Sequence, residues 1–310
     1  LPRYALAALG ERAEPFVAQL ILDGILQVDD GGTILTGAQA LELVSGEPAA
    51  RDPENRLAVL SRNALEYAAN LGTATSAVLS ARLYMYNRVP VSPHWRRALA
   101  DSGAVEAYLG AGDRDIVRAL NAGWQRLPAE GAGEVWMAWQ SLRATRHRNA
   151  ALTYKLYVSP ACAELRAGFS ALVRTVTECA AFHLKVGRDV YGLLRPDKMV
   201  AYFWDFADLQ TAAALLLEKL NGCPAQGVPF TAETGGEALI SWGVDPPVAS
   251  QSVPWLQRES WRSRICNLLG TALAVGKTPQ FAMERLRLEG IDPKTWAPNS
   301  SLTWGNGAGA

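Results

Sequence analysis

Residues 153–159 read Thr153-Tyr154-Lys155-Leu156-Tyr157-Val158-Ser159, residues 181–187 read Ala181-Phe182-His183-Leu184-Lys185-Val186-Gly187, and residues 198–204 read Lys198-Met199-Val200-Ala201-Tyr202-Phe203-Trp204. Each is a short run rich in β-branched and aromatic residues, which predicts a strand. Between the first two, Ala161 to Ala180 has a helical pattern. After the third, Asp208 to Asn221 is a second helical run with Asp208 as an anion in its early turn, and Glu237 to Trp242 offers a further strand. A helical block from Glu259 to Val275 follows. Strands alternating with helices predict an α+β or α/β domain.

Working outward, Trp124-Gln125-Arg126-Leu127 and Glu134-Val135-Trp136-Met137-Ala138-Trp139 flank a Gly-rich loop, which predicts a β-hairpin. The chain before it is helical in pattern. Phe16, Leu20, Ile21 and Ile25 make one helical stripe, Asp29-Asp30-Gly31-Gly32 is turn chemistry, and Thr36 stands where another helix would be capped. Asn55 to Asn87 reads as a second helical block ending in Leu83-Tyr84-Met85-Tyr86, a cluster whose spacing predicts core packing. Pro90, Pro93 and the run Ser102 to Gly112 break this pattern before a helix at Ile116 to Leu120. The expected architecture is α+β: a helical region at residues 1–120, a mixed sheet packed with helices at 121–297, and a Ser/Asn/Gly-rich tail at 298–310.

The 310 residues are 49% hydrophobic, which excludes a disordered or collagen-like chain. Lys and Arg (30) balance Asp and Glu (30), which argues against a protein coated in basic surface for nucleic acid. Cys162, Cys179, Cys223 and Cys266 form no C-x-x-C pair, so neither a zinc ribbon nor a dithiol motif is implied, and four reduced thiols in a cytoplasmic protein are expected. Nothing at the start resembles a signal peptide. Apolar stretches such as Ala212 to Leu217 are far shorter than the ~20 residues of a membrane span.

The neutral total hides an imbalance. Residues 141–200 carry ten basic and four acidic side chains, with His147 and His183 besides, whereas residues 201–250 carry one basic side chain against six acidic ones. Strand alternation puts Tyr154, Leu156 and Val158 on one face and Lys155, Tyr157 and Ser159 on the other. Likewise Phe182, Leu184 and Val186 make a core face from which His183 and Lys185 point away. If the two strands are neighbours, Lys155, Tyr157, His183 and Lys185 share one patch. Such a patch serves either as a solvated outer face or as an anion site. Long nucleic acid fits less well than a small phosphate, because the aromatic residues of this segment fall mainly on core faces instead of between the charges.

Tyr154-Lys155-Leu156-Tyr157-Val158-Ser159, then Phe182-His183-Leu184-Lys185, Arg188-Asp189 and Arg195-Pro196-Asp197-Lys198-Met199-Val200-Ala201-Tyr202, resemble in order the phosphothreonine/phosphoserine lyases. These include type III effectors and the lyase domains of class III lanthipeptide synthetases. The chain is most similar to the HopA-type effector-like lyases of class V lanthipeptide and thioamitide pathways, which act beside a separate kinase. Gly227-Val228-Pro229-Phe230, Trp242-Gly243-Val244-Asp245-Pro246 and Ser260-Trp261-Arg262 extend the resemblance, which covers roughly residues 150 to 270.

The resemblance implies β-elimination of phosphate from phosphoserine or phosphothreonine of a ribosomal precursor peptide, leaving dehydroalanine or dehydrobutyrine, with no cofactor or metal and with a kinase as partner. It makes Lys185 the base for the Cα proton and Lys155 a phosphate contact of the first strand. Arg195 and Tyr202 are later phosphate and substrate contacts, and Arg188, Lys198 and Arg262 are further candidates. The family's histidine acid, in a K-x-H pattern, is replaced here by Tyr157. Tyr157 donates the proton, or His183 does, or the cations alone carry the leaving phosphate. A lysine base has a cost: from a reference pKa of ~10.4, the neutral amine at pH 7 requires about 4.6 kcal/mol. Neighbouring cations and burial offset part of it. The alternative function is a non-catalytic phosphopeptide- or protein-binding module, in which Tyr157 marks lost chemistry. Taken singly, His183 also fits a satisfied semi-buried histidine, Tyr157 a sheet-edge phenol, Arg262 a helix-surface charge and Trp242 a packing residue.

Overall fold

A computed structural model describes residues 15–45, 55–72, 74–128, 135–143, 152–235, 237–247, 259–275 and 278–299. In chain order the elements are α1 (Pro15–Leu22), β1 (Val28–Asp30), β2 (Thr33–Leu35), α2 (Gly37–Ser45), α3 (Arg56–Ala69), α4 (Ser76–Met85), α5 (Pro93–Ala98), α6 (Ser102–Leu109) and α7 (Arg114–Asn121). They continue with β3 (Trp124–Arg126), β4 (Trp136–Ser141), β5 (Thr153–Val158), α8 (Leu165–Glu178), β6 (His183–Gly187), α9 (Val190–Leu193), β7 (Met199–Phe203) and α10 (Phe206–Lys219). The last are β8 (Ala232–Thr234), β9 (Ile240–Asp245), α11 (Trp261–Ala274) and α12 (Pro279–Leu288). The class is α+β.

The main sheet has seven strands in the order β3-β4-β6-β7-β5-β9-β8. Every described pair in it is antiparallel, so it is not the mixed sheet that the strand–helix alternation implies. The reason lies in β7. Strands β5 and β6 run in the same direction, joined by the α8 crossover, but β7 inserts between them and pairs antiparallel with both. The two strands expected as neighbours are therefore separated by one. Register still aligns them: Lys155 faces Tyr202, which faces His183, and Tyr157 faces Val200, which faces Lys185.

One face of the sheet presents Leu156, Val158, Leu184, Val186, Met199, Ala201 and Phe203. They form a single apolar core with Leu165, Phe169 and Leu172 of α8 and Leu209 and Leu216 of α10. Val105 and Leu109 of α6 and Ile116 and Leu120 of α7 belong to it as well. The segment expected to break the helical pattern thus supplies two short helices. Ser92 caps α5 and Asp101 caps α6 through bonds to Trp95 and Ala104 N–H, and Pro93 sits in the first turn, where it has no amide bond to lose.

The opposite face is also covered, which overturns the reading of a solvated outer surface. Tyr157, Val200 and Tyr202 are buried with Val228, and Thr231 Oγ1 donates to Val228 C=O and shares a 2.8 Å hydrogen bond with Ser241 Oγ. A second core joins α1 to α4 with α11 and α12 through Ile21, Leu41, Leu65, Leu79, Leu83, Ile265, Leu269 and Leu286. The Asp29–Gly32 turn is the bend of the β1–β2 hairpin, with Gly31 and Gly32 both at positive φ, so a small ribbon separates the two N-terminal helices. Arg146, His147 and Arg148, the hairpin loop at residues 129–134 and the tail from residue 300 lie outside the described residues. Among the described residues no helix is long and apolar enough to cross a membrane, and the four cysteines are unpaired.

Helices α4 and α11 touch at Gly270, where a Cβ would stand 2.4 Å from Ser80 Oγ, 2.8 Å from Ser80 N and 2.9 Å from Ser76 O. The nearest side-chain atom can rotate away, but the backbone atoms cannot. Gly270→Ala is expected to lose stability by about 1–2 kcal/mol, as overpacking at 1–3 kcal/mol exceeds the gain of up to ~1 kcal/mol from helix propensity. A lower urea midpoint at unchanged slope checks this.

A cation and aromatic cluster as candidate active site

The covered face carries a group of charges assembled from five parts of the chain. Lys155 stands on β5, buried, with Nζ 2.7 Å from Asp245 Oδ2 on β9. Asp245 Oδ1 also accepts the Trp261 backbone N–H at 3.1 Å, the first residue of α11. Arg195 follows α9 and grips Asp197 with two bonds, Nε to Oδ1 and Nη2 to Oδ2, both 2.9 Å. Arg262 on α11 places Nη1 2.9 Å from the same Asp197 Oδ2. The Tyr84 hydroxyl on α4 donates to Asp197 Oδ2 at 3.1 Å and accepts from Arg195 Nη2 at 3.2 Å. Its backbone carbonyl accepts from Arg262 Nη2 at 2.9 Å.

Aromatic rings alternate with the cations. Tyr84 lies 4.5 Å from Arg262 Cζ and 5.6 Å from Arg195 Cζ, measured to the ring centroid. Trp136 lies 5.1 Å from Arg195 Cζ and 4.2 Å from Lys185 Nζ, and Tyr202 lies 5.6 Å from Lys185 Nζ and 5.3 Å from Lys155 Nζ. Ring faces attract cations and also exclude water, so the order Arg262, Tyr84, Arg195, Trp136, Lys185, Tyr202, Lys155 brings like charges together without leaving them bare.

This packing sets the protonation states. Lys185 is lowered to about 7, first by burial and then by Lys155 and Arg195, against the pull of Asp197 and Asp245. For Asp197, burial is the largest single influence and opposes ionisation, but Arg262 and Arg195 together outweigh it and hold the carboxyl well below the usual carboxylate range. Burial and the Asp197 charge push the Tyr84 phenol up to about 12. Tyr157 is raised well above its ordinary value by burial and then by Asp245, so it is a protonated phenol at neutral pH.

The predicted residues divide accordingly. Lys155, Lys185, Arg195, Tyr202 and Arg262 are brought together, although the Arg262 side chain is only 1% exposed and is engaged by Asp197, Pro229 O and Tyr84 O. It is not a helix-surface charge. His183 stands beside them, its ring edge-on to Tyr202 at 5.0 Å. Tyr157 is packed with Val200, Tyr202 and Val228. Lys198 serves the scaffold instead. It is fully buried, donates to Pro160 C=O at 2.8 Å and to Gln226 Oε1, and is lowered by burial to about 8. Arg188 is half-buried and donates its backbone N–H to Val135 C=O, one residue out of strand phase with Lys185. Trp242 packs on Phe206 at 4.5 Å, on the α10 side of the sheet.

Four members were not singled out from the sequence. Asp197 and Asp245 lie inside quoted motifs, and a deficit of anions around buried bases was the available signal for them. Tyr84 and Trp136 gave no such signal, because an aromatic residue at helical or strand spacing reads as core. A cavity of about 360 Å³ lies elsewhere, at the ends of α7 and α8, lined by Trp124, Arg143, Cys179, Trp204 and Asp208 among others.

Asp197→Asn leaves Arg262 buried without its carboxylate, and a loss of about 3–5 kcal/mol at pH 7 is expected in urea unfolding. Because the folded pKa is depressed, the contribution of Asp197 is complete above the unfolded value of ~3.9 and is lost as pH falls below it. Stability of the parent protein should therefore fall more steeply below about pH 4 than that of the variant.

No protein-family model matches the chain, and no curated protein matches it. Among solved structures it is similar to an effector protein from Pseudomonas syringae pv. tomato strain DC3000, at 16% identity and a TM-score of 0.45, over 79% of this chain and 100% of that one. It is also similar to an effector protein from Pseudomonas syringae pv. syringae strain 61, at 13% identity and a TM-score of 0.46, over 78% of this chain and 98% of that one.

Proposed function

We propose that the protein is a phosphoserine/phosphothreonine lyase acting on a kinase-phosphorylated ribosomal precursor peptide. The observation that carries this reading is Lys185, a lysine lowered to about 7 within a group of fixed cations. An ordinary lysine is almost wholly protonated at neutral pH, whereas one lowered this far supplies neutral amine there. The amine removes the Cα proton of the phosphorylated residue. The electron pair of that C–H bond forms the Cα=Cβ double bond, the Cβ–O bond breaks, and phosphate departs with the bonding pair. Arg195 and Lys155 offset the charge on the phosphate, and Asp197 and Asp245 hold them in place.

Two donors remain for the leaving oxygen, the Tyr157 phenol and His183, and a phosphate dianion is a fair leaving group without either. The N-terminal helices are proposed to meet the kinase or the peptide's leader segment. The second reading, a phosphopeptide-binding module, draws on Tyr157, which stands where the resembled lyases have histidine and is packed among Val200, Tyr202 and Val228.

Incubation with peptide phosphorylated by the partner kinase is expected to release phosphate and leave a thiol-reactive alkene. Lys185→Ala should reduce the rate by about 10²–10⁴-fold while the protein still binds phosphopeptide. Phosphopeptide bound but unchanged by the parent protein would favour the binding module, and full activity in Lys185→Ala would remove the base. Since kcat/KM reports the free enzyme, it should rise with pH with a midpoint near 7, above the phosphomonoester's own pKa of ~6.

A further inference from the structure

The hairpin strand β4 contributes to the cluster a ring that takes no part in the elimination chemistry. Trp136 faces Gly187 across the β4–β6 pair and Ala138 faces Lys185, so Trp136 stands diagonal to Lys185 on the same face of the sheet. Gly187 has no side chain to occupy the space opposite the indole. It is held to glycine by α9, since a Cβ there would lie 2.4 Å from the Gly192 carbonyl carbon. The indole centroid is 4.2 Å from Lys185 Nζ and 5.1 Å from Arg195 Cζ, while Tyr202 closes the other side of Lys185 at 5.6 Å.

We infer that Trp136 is a positioning residue: its indole is the shared wall that excludes water from Lys185 and fixes the spacing between Lys185 and Arg195. The catalytic consequence rests on the lyase reading; the effect on Lys185 does not. Two effects of the ring oppose each other. Attraction to its face favours the ammonium, whereas exclusion of water favours the neutral amine. Burial is the largest influence on Lys185, and on this inference the indole's share in that burial exceeds its attraction for the ammonium. The charged groups around the amine are Lys155 from β5, Arg195 and Asp197 from the segment after α9, and Asp245 from β9. A substitution at Trp136 leaves all of them in the chain. Removing the ring therefore admits water and moves the titration of Lys185 upward, towards the ordinary lysine value.

The full-length protein labelled with ¹³C at lysine Cε allows Lys185 to be titrated by NMR, its signal assigned by its loss in Lys185→Arg. Lys185 is expected to titrate about one unit or more higher in Trp136→Leu, and close to the parent value in Trp136→Phe, which keeps a ring. In the elimination assay, the same one-unit shift lowers kcat/KM of Trp136→Leu about fivefold at pH 7, and the deficit shrinks as pH rises through the displaced midpoint. A folded Trp136→Leu protein in which Lys185 titrates at or below the parent value, or less than one unit above it, overturns the inference. Should that variant not fold, the parent protein decides: an upfield ring-current shift of the Lys185 ε-protons supports the wall, and its absence overturns it. Failure of the parent protein to eliminate phosphate would sink the lyase reading while leaving the NMR result to judge Trp136 alone.

Discussion

Asp197 accepts from Arg195 and Tyr84 and pairs with Arg262, so one buried carboxylate ties together the segment after α9, the helix α11 and the helix α4. A lone carboxylate there would cost several kcal/mol to desolvate. A lone Arg262 at 1% exposure would cost as much. Each is tolerable only with the other. The helical N-terminal block is consequently not an appendage to the sheet domain, because Tyr84 comes from it and completes the group around Asp197. The same two helices, α4 and α11, meet at Gly270 and through the bond from Arg262 to Tyr84 C=O.

With those two guanidinium groups fixed, the remaining charges follow a simple division. Lys155 is held by Asp245, which also receives the first amide of α11. Lys185 stands instead between the Trp136 and Tyr202 rings and close enough to Lys155 and Arg195 to be disfavoured as a cation. The same cluster thus contains cations paired with carboxylates and one amine that burial and neighbouring cations disfavour as a cation. That contrast is what a proton abstraction next to a phosphate requires, since the phosphate needs permanent positive charge and the Cα proton needs a free electron pair.

Much of this was legible in the sequence. Alternation in residues 153–159 and 182–186 separated the core face from the face of Lys155, Tyr157, His183 and Lys185, and the structure keeps that division except at Phe182, which precedes β6 and packs with Tyr202 on the other face. Alternation does not reveal strand order, so β7 was read as a strand but its place between β5 and β6 was missed, and with it the antiparallel pairing throughout. It also cannot tell a solvated polar face from a covered one. The cover arrives from distant segments, Val228 to Thr231 and the helices α4 and α11, whose approach depends on long-range packing. Tyr84 was read as core for the same reason, since a tyrosine at helical spacing shows nothing of the hydroxyl's partner over a hundred residues away. Lys198 illustrates the converse: it lies within a motif of the resembled lyases, yet its amine bonds Pro160 C=O and Gln226.

The central claim is that a lysine amine takes the Cα proton while the surrounding cations carry the departing phosphate. The most direct measurement uses a phosphoseryl peptide deuterated at Cα and incubated with the protein. The account predicts a dehydroalanyl product, deuterium released from Cα, and a rate slowed by the isotope. Regenerated serine that retains its deuterium, the signature of hydrolysis at phosphorus, would contradict it, as would phosphopeptide that is bound and returned intact.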